Sequence, residues 1–259
     1  MKAVILAAGR GTRIETVTHG MPKCLLDFGG RTILDCQIEG LLAAGVSEIG
    51  IVIGHNGYQI VDHLARTFSN CFDSFRFIHN PLFATTNNIY SLWLAGDWIG
   101  LDSFLCLNAD VLCHPAVLLP AVSGKAPVSM IVDPQWRDET MKVVIRNQSV
   151  VQMSKSISRA EYSATYIGIT AFSRQVTPLL FHEIGRMLGE GQVDQFFNAA
   201  VQRLVDRGLH VGFVRTRGLP WAEIDDPADL QFARSFVFPR LTRSCFPSRG
   251  ERTEVPAVA

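Results

Sequence analysis

The segment Leu6-Ala7-Ala8-Gly9-Arg10-Gly11-Thr12-Arg13 combines small residues, two glycines and a guanidinium. Small side chains let a backbone approach a ligand closely, so that exposed N–H groups can cradle phosphate oxygens. Arg13 adds a fixed positive fork, and Pro22-Lys23 supplies a second cation on a rigid turn. The string is not a Walker A loop, because no Gly-Lys-Ser/Thr follows. Nor is it G-x-G-x-x-G, because Ile14 stands at the third glycine position. A tight strand-to-loop turn with solvated charges is the plainer alternative. Arg13 and Pro22-Lys23 together favour the phosphate reading, with Leu6, Ala7, Ala8, Gly9, Gly11 and Thr12 as the loop that would approach the phosphates.

Two acidic segments stand far apart in the chain. Leu107-Asn108-Ala109-Asp110 closes one expected strand, and Trp221-Ala222-Glu223-Ile224-Asp225-Asp226 follows another. Open α/β sheets place ligands at such carboxyl ends. Magnesium takes one or two carboxylates together with phosphate oxygens and waters, which nominates Asp110 and Asp225 as an Mg2+ pair. Asn108 can hydrogen-bond a bound water, and Asp226 suits the N-cap of a helix opening at Pro227. Between them, Thr85-Thr86-Asn87-Asn88 precedes a helix, so Thr86 or Asn87 can cap it while the other reads a base edge.

Other residues could hold an acceptor. Lys142 is either an exposed strand lysine or a phosphate contact. Trp136, Tyr162, Tyr166 and Trp221, with Asp133 or Asp194 near them, are of the types that bind an ammonium group, although aromatic residues more often belong to a core. Cys113-His114 lacks a second paired ligand motif and reads as structural rather than as zinc.

These residues need elements to position them. Short apolar runs at 3–7, 49–53, 75–78 and 104–108 read as strands, separated by helical patterns at 32–44, 57–66 and 88–97. Alternation at this spacing implies right-handed βαβ units and a parallel sheet. After residue 125 strands crowd at 127–132, 142–146, 150–153 and 164–172, with Arg146-Asn147-Gln148-Ser149 as a hairpin turn. Helices at 174–188 and 193–206, strands at 210–215 and 220–224, and a helix from Pro227 follow. The expected fold is α/β, a Rossmann-like doubly wound mixed sheet that is mostly parallel. One domain over 1–240 divides into a nucleotide-binding half, 1–125, and an acceptor-binding half, 126–240. The stretch 241–259 lacks periodicity and reads as a mobile tail.

Composition sets outer limits. The 259 residues are 47% hydrophobic and 19% charged, which supports a substantial core. Basic and acidic residues balance at 24 each, so no electrostatic footprint for nucleic acid is present. Six cysteines without C-x-x-C spacing read as reduced thiols of a cytoplasmic protein. The N-terminal apolar run ends in Gly-Arg-Gly-Thr-Arg and reads as strand and loop rather than signal peptide. No run reaches the roughly 18 apolar residues of a membrane span, so no membrane insertion is expected. A homodimer is left open.

The strings L-A-A-G-x-G-T-R and P-K-x-L-L resemble the signature of nucleotidyltransferases that include sugar-phosphate nucleotidylyltransferases and bacterial phosphocholine cytidylyltransferases. The resemblance implies that Ala7, Ala8 and Gly9 contact nucleoside and phosphates, that Arg13 and Lys23 neutralise a triphosphate, and that Lys155 binds the acceptor phosphate. It also places metal aspartates at Asp110 and Asp225, with Asn108 departing from the D-x-D of many relatives. T-N-N-I-Y-S-L and Y-I-G-I resemble the branch using phosphocholine or 2-aminoethylphosphonate. The implied reaction is transfer of CMP from CTP to phosphocholine, phosphoethanolamine or 2-aminoethylphosphonate, by in-line attack at the α-phosphorus. A sugar-1-phosphate enzyme using UTP, dTTP or GTP and a non-catalytic nucleotide sensor are the alternatives. A Ser-His-Asp hydrolase lacks G-x-S-x-G support.

Overall fold

The computed structural model describes residues 1–124 and 126–244. Its strands are β1 (Lys2–Ala7), β2 (Glu48–Ile53), β3 (Phe75–His79), β4 (Phe104–Asn108), β5 (Val111–Cys113), β6 (Val128–Asp133), β7 (Lys142–Arg146), β8 (Ser149–Ser154), β9 (Ala164–Phe172), β10 (Val211–Arg215) and β11 (Trp221–Glu223). The main sheet runs β10-β6-β9-β4-β1-β2-β3, with β7 against β9 and β8 against β7. β3, β2, β1 and β4 are parallel, whereas β9 is antiparallel to both β4 and β6. The sheet is thus the mixed, doubly wound α/β arrangement expected, although β9 and the β7–β8 hairpin bring as many antiparallel pairings as parallel ones. Order reverses at β1, whose neighbours β2 and β4 lie on opposite sides, and such a switch point opens a crevice at the strand ends.

The main helices are α1 (Ile33–Ala43), α2 (Gly57–Thr67), α3 (Asn88–Leu94), α4 (Thr177–Gly189), α5 (Asn198–Asp206) and α6 (Pro227–Phe232). Thr32 and Asp35 form a reciprocal capping box at α1, and Asp226 with Asp229 forms another at α6. Two apolar clusters cover the sheet's faces, one around Ile5, Ile38 and Leu107 and the other around Val4, Leu92 and Phe172. The β7–β8 turn has Asn147 and Gln148 at φ of 48° and 61°, the left-handed pair that a two-residue hairpin demands.

Three departures from the sequence pattern have physical causes. The helix expected from 193 begins only at Asn198, because 193–197 lies along the start of α3: Asn87 and Ile89 donate their N–H groups to the Val193 and Gln195 carbonyls. The segment thereby satisfies donors that a helix N-terminus leaves open. Strand β5, too short to show periodicity, pairs with β11 as a separate antiparallel ribbon. Residues 241–244, assigned to a tail, finish the helix Phe238–Ser244, and the rest of that stretch lies outside the described residues. Among the described residues, no helix is long and apolar enough to cross a membrane.

Candidate active site

The loop after β1 opens into the crevice between β1 and β4. Gly11 has φ 63°, a left-handed value that favours glycine. Ala8 accepts from the His55 N–H at 3.2 Å, an approach that requires Gly54, where a Cβ would lie 2.6 Å from the Ala8 oxygen. Gly9 has open space where a side chain would project. Leu6, Ala7, Ala8, Gly9 and Gly11 line the cleft. Thr12 does not line it; it is exposed and starts the turn Thr12–Ile14.

The β5–β11 ribbon joins the two acidic segments. Glu223 is opposite Val111, and the Ile224 N–H donates to the Asp110 carbonyl at 3.0 Å. The pairing carries Asp225 to Asp110 across the long sequence separation. Gln37, buried on α1, donates Nε2 to the carbonyls of Asn108 and Val111 at 2.8 Å each and so fixes the corner that presents Asp110.

Lys23 Nζ sits between the aspartates, 2.7 Å from Asp110 Oδ2 and 2.9 Å from Asp225 Oδ1. Arg13 Nη2 meets the same Asp225 oxygen at 2.9 Å. Burial acts to raise the Asp225 carboxyl pKa, but Lys23 and Arg13 hold it below its ordinary value. Burial likewise acts to lower the Lys23 ammonium, yet Asp110 and Asp225 hold it well above its usual range. Glu223 is a third carboxyl at this point; burial, then Asp110 and Asp225, push it up to about 8. Sequence reasoning passed over Glu223 and Gln37. Strand period places Glu223 and Asp225 on one face, which was an available signal for the former.

Among the described residues, no group of three or more His, Cys, Asp or Glu is arranged to hold a metal ion. The donor set nonetheless fits a hard divalent cation. Asp110 Oδ1 is buried with no hydrogen-bond partner, and carboxylate oxygens are the ligands such an ion prefers.

On the nucleoside side, Asn87 accepts from the Asn88 N–H as N-cap of α3, while Thr86 donates to the Leu82 carbonyl at 2.8 Å. Both line the cleft, as does Asn108. Buried Asn80 holds this loop, donating to Ser91 Oγ at 3.0 Å and accepting from the Leu82 N–H.

On the acceptor side the expected residues separate. Lys155 lines the cleft with its ammonium 5.2 Å from the Phe196 ring. Tyr166 also lines it, 2% exposed, with its hydroxyl accepting from Thr170. Lys142 is neither an exposed strand lysine nor free for a phosphate. It is 1% exposed and donates to the carbonyls of Asp138, Thr140 and Lys155 at 2.6, 3.2 and 3.0 Å. Asp133 is buried, accepting from Gln135 N–H and the Thr216 hydroxyl. Tyr162 is anchored to the Pro134 carbonyl and Thr165 hydroxyl, and Asp194 is exposed beside Gln195. Trp136 has Lys142 and Arg159 at 4.8 and 4.6 Å from its ring, and buried Trp221 has Arg137 at 4.4 Å. The chain's own cations therefore lie over the Trp136 and Trp221 rings, and of the six residues only Tyr166 lines the cleft, so they do not converge there as a cage. Cys113 is buried opposite Trp221, and His114 caps a turn through Nδ1, so both act in local structure.

Residues 3–177 match the family of MobA-like NTP transferase domains. CTP:phosphoglutamine cytidylyltransferase from Campylobacter jejuni is 25% identical, over 89% of this chain and 98% of that protein. Glucose-1-phosphate thymidylyltransferase from Streptomyces griseus is 22% identical, over 98% of this chain and 71% of that protein. The solved inositol-1-phosphate CTP transferase from T. maritima superposes with TM-score 0.75 at 21% identity, covering 88% of this chain and 90% of that one. That last likeness is one of fold.

Proposed function

This chain belongs to the family of MobA-like NTP transferase domains and is a nucleotidyltransferase, and from that premise we propose that it transfers a nucleoside monophosphate to a small phosphorylated acceptor. An acceptor phosphate or phosphonate oxygen bonds to the α-phosphorus as the bond to the β-phosphate oxygen breaks, and pyrophosphate leaves. The observation that carries this reading is the convergence of Arg13, Lys23, Asp110, Asp225 and Lys155 on one cleft beside the glycine loop. The nucleophile is already ionised near neutral pH, so positioning and charge neutralisation suffice and no general base is assigned.

Residues 1–240 act in this proposal as one catalytic unit, with 1–125 holding nucleotide and 126–240 holding acceptor. Backbone N–H groups of the loop from Ala7 to Gly11 cradle the triphosphate. Arg13 and Lys23 stabilise the departing pyrophosphate, and Lys155 orients the acceptor phosphate. Asp110 and Asp225, with Glu223 beside them, are the residues to hold Mg2+. Bound there, Mg2+ supplies charge stabilisation at the reacting phosphate.

For the acceptor, a sugar 1-phosphate is the reading with wider support. The thymidylyltransferase aligns along nearly the whole chain, and the cations over Trp136 and Trp221 count against an ammonium site at those two rings. CTP with an amine-bearing phosphate or phosphonate is the second reading, favoured by the C. jejuni relative, named for CTP and phosphoglutamine. Pyrophosphate release with magnesium, measured across five nucleoside triphosphates, tests both. The acceptors are glucose 1-phosphate, inositol 1-phosphate, phosphocholine, phosphoethanolamine and 2-aminoethylphosphonate. Turnover with a sugar phosphate and UTP, dTTP or GTP supports the first reading, and turnover confined to CTP with an amine-bearing acceptor supports the second. Nucleotide binding without turnover anywhere counts against transfer altogether.

A further inference from the structure

A second cavity adjoins the cleft and shares Arg13, Glu223 and Asp225 with it. The shared lining leaves room for a molecule whose phosphate reacts beside Asp225 to extend into it. Most charged groups lining this cavity are already engaged. Arg13 is paired with Asp225. Asp226 and Asp229 accept backbone N–H groups at the start of α6, and Asp138 accepts from Trp136 Nε1 at 2.7 Å.

Among the described residues the Glu139 and Glu223 side chains make no hydrogen bond or ion pair, and of the cavity's two arginines Arg137 is the one without a salt bridge. Its guanidinium carbon lies 4.4 Å from the Trp221 ring centroid and 5.3 Å from that of Phe232, so two aromatic side chains hold its plane. Among the described residues, no carboxylate oxygen comes within salt-bridge distance of it. Its one hydrogen bond runs 3.5 Å to the Trp221 carbonyl, at the limit of such contacts. Burial acts against its charge, and Asp229, Asp133 and Glu223 favour it only through their field. A guanidinium offers five N–H donors in a fork matched to a carboxylate. This one is part-buried, oriented by aromatic faces and almost unused.

We propose that Arg137 grips a carboxylate on the acceptor, at the end opposite the reacting phosphate. The proposal rests on the transfer reading above but not on the choice between sugar and amine. The substrate class is a small phosphate ester that also bears a carboxylate, either a uronic acid 1-phosphate or a phosphorylated amino acid.

Two acceptor pairs isolate that one group: glucuronic acid 1-phosphate against glucose 1-phosphate, and phosphoserine against phosphoethanolamine. With the full chain, magnesium and a nucleoside triphosphate that binds, kcat/KM should favour the carboxylate-bearing member of at least one pair by about tenfold or more, as a charge-assisted bidentate contact requires. Arg137→Gln should bring that ratio to within about twofold, while Arg137→Lys keeps part of it. The nucleotide KM serves as the control for folding. A wild-type preference for the carboxylate-free members, or a ratio that Arg137→Gln leaves unchanged, overturns the assignment. Equal loss with both members of a pair overturns it too, since a structural role predicts that result. Absence of turnover with all four acceptors, while inositol 1-phosphate, phosphocholine or 2-aminoethylphosphonate turns over, overturns this assignment alone; absence with every one of them, nucleotide still binding, overturns the transfer reading and this assignment with it.

Discussion

The ammonium of Lys23 stands 2.7 Å from Oδ2 of Asp110, so a carboxylate suited to a metal already holds a cation. The same ammonium reaches Asp225 at 2.9 Å. A divalent ion bound by both carboxylates competes with it for their charge, and the negative triphosphate offers Lys23 another partner. Lys23→Met should therefore strengthen Mn2+ binding to the nucleotide-free protein by about tenfold, the size of roughly 1.4 kcal/mol of lost competition. Turnover should fall at the same time. Mn2+ titration followed by electron paramagnetic resonance checks the first outcome. Unchanged or weaker Mn2+ binding in the variant means that Lys23 does not compete for the pair.

Asp110→Asn and Asp225→Asn should each lower kcat by about two to three orders of magnitude, the scale on which a single transition-state electrostatic contact acts. Neither should unfold the chain, because the β5–β11 ribbon is held by main-chain pairing and Gln37 rather than by these carboxylates. Turnover and circular dichroism on each variant decide the matter, and near wild-type turnover in either removes it from the metal pair.

The legible part of this site is the part written in local chain. The strand ending at Ala7 runs straight into small residues, and Asp110 closes an apolar strand, so both could be placed from neighbours alone. Glu223 was passed over because Asp225 carries the same charge two residues on, and nothing local indicates which carboxyl burial will push up. The acceptor side was least legible. Whether an indole face is open depends on which cation folds over it. Arg137, Arg159 and Lys142 come to Trp221 and Trp136 through loop geometry that periodicity does not encode. Lys142 shows the same limit, since its strand position suggested exposure and its three carbonyl partners lie in two separate loops.

Lys142 ties residues 138–140, a wall of the second cavity, to the backbone of Lys155. Lys142→Met leaves three carbonyls without their donor. A buried group stripped of its partner costs about 1–3 kcal/mol, so the melting temperature should drop. The wall should also loosen, raising the acceptor KM by about tenfold while the nucleotide KM holds. Thermal melts and the two KM values check this, and equal rises in both KM values would assign Lys142 to general stability alone.

Glu183 provides a pH test away from the site. It is fully buried on α4, with Arg203 of α5, Arg207 just past the end of α5 and Arg186 of its own helix around it. Burial acts to raise its carboxyl pKa, but the hydrogen bonds and charges of Arg207 and Arg203, with Arg186, hold it below the ordinary value of 4.5. A depressed folded pKa means that the unfolded chain binds the proton first as pH falls. The stabilisation is therefore complete above the unfolded value and is lost as pH drops through the folded one. Glu183→Gln removes the charge and should destabilise toward the lower end of the about 3–5 kcal/mol seen when a buried pair is broken, because the arginines remain partly hydrated. Urea unfolding from pH 7 down to about pH 3 should show the gap between wild type and variant narrowing below about pH 4.5. A constant gap across that range means that Glu183 takes up its proton alike in the folded and unfolded chain, and the α4–α5 contact then rests on packing instead.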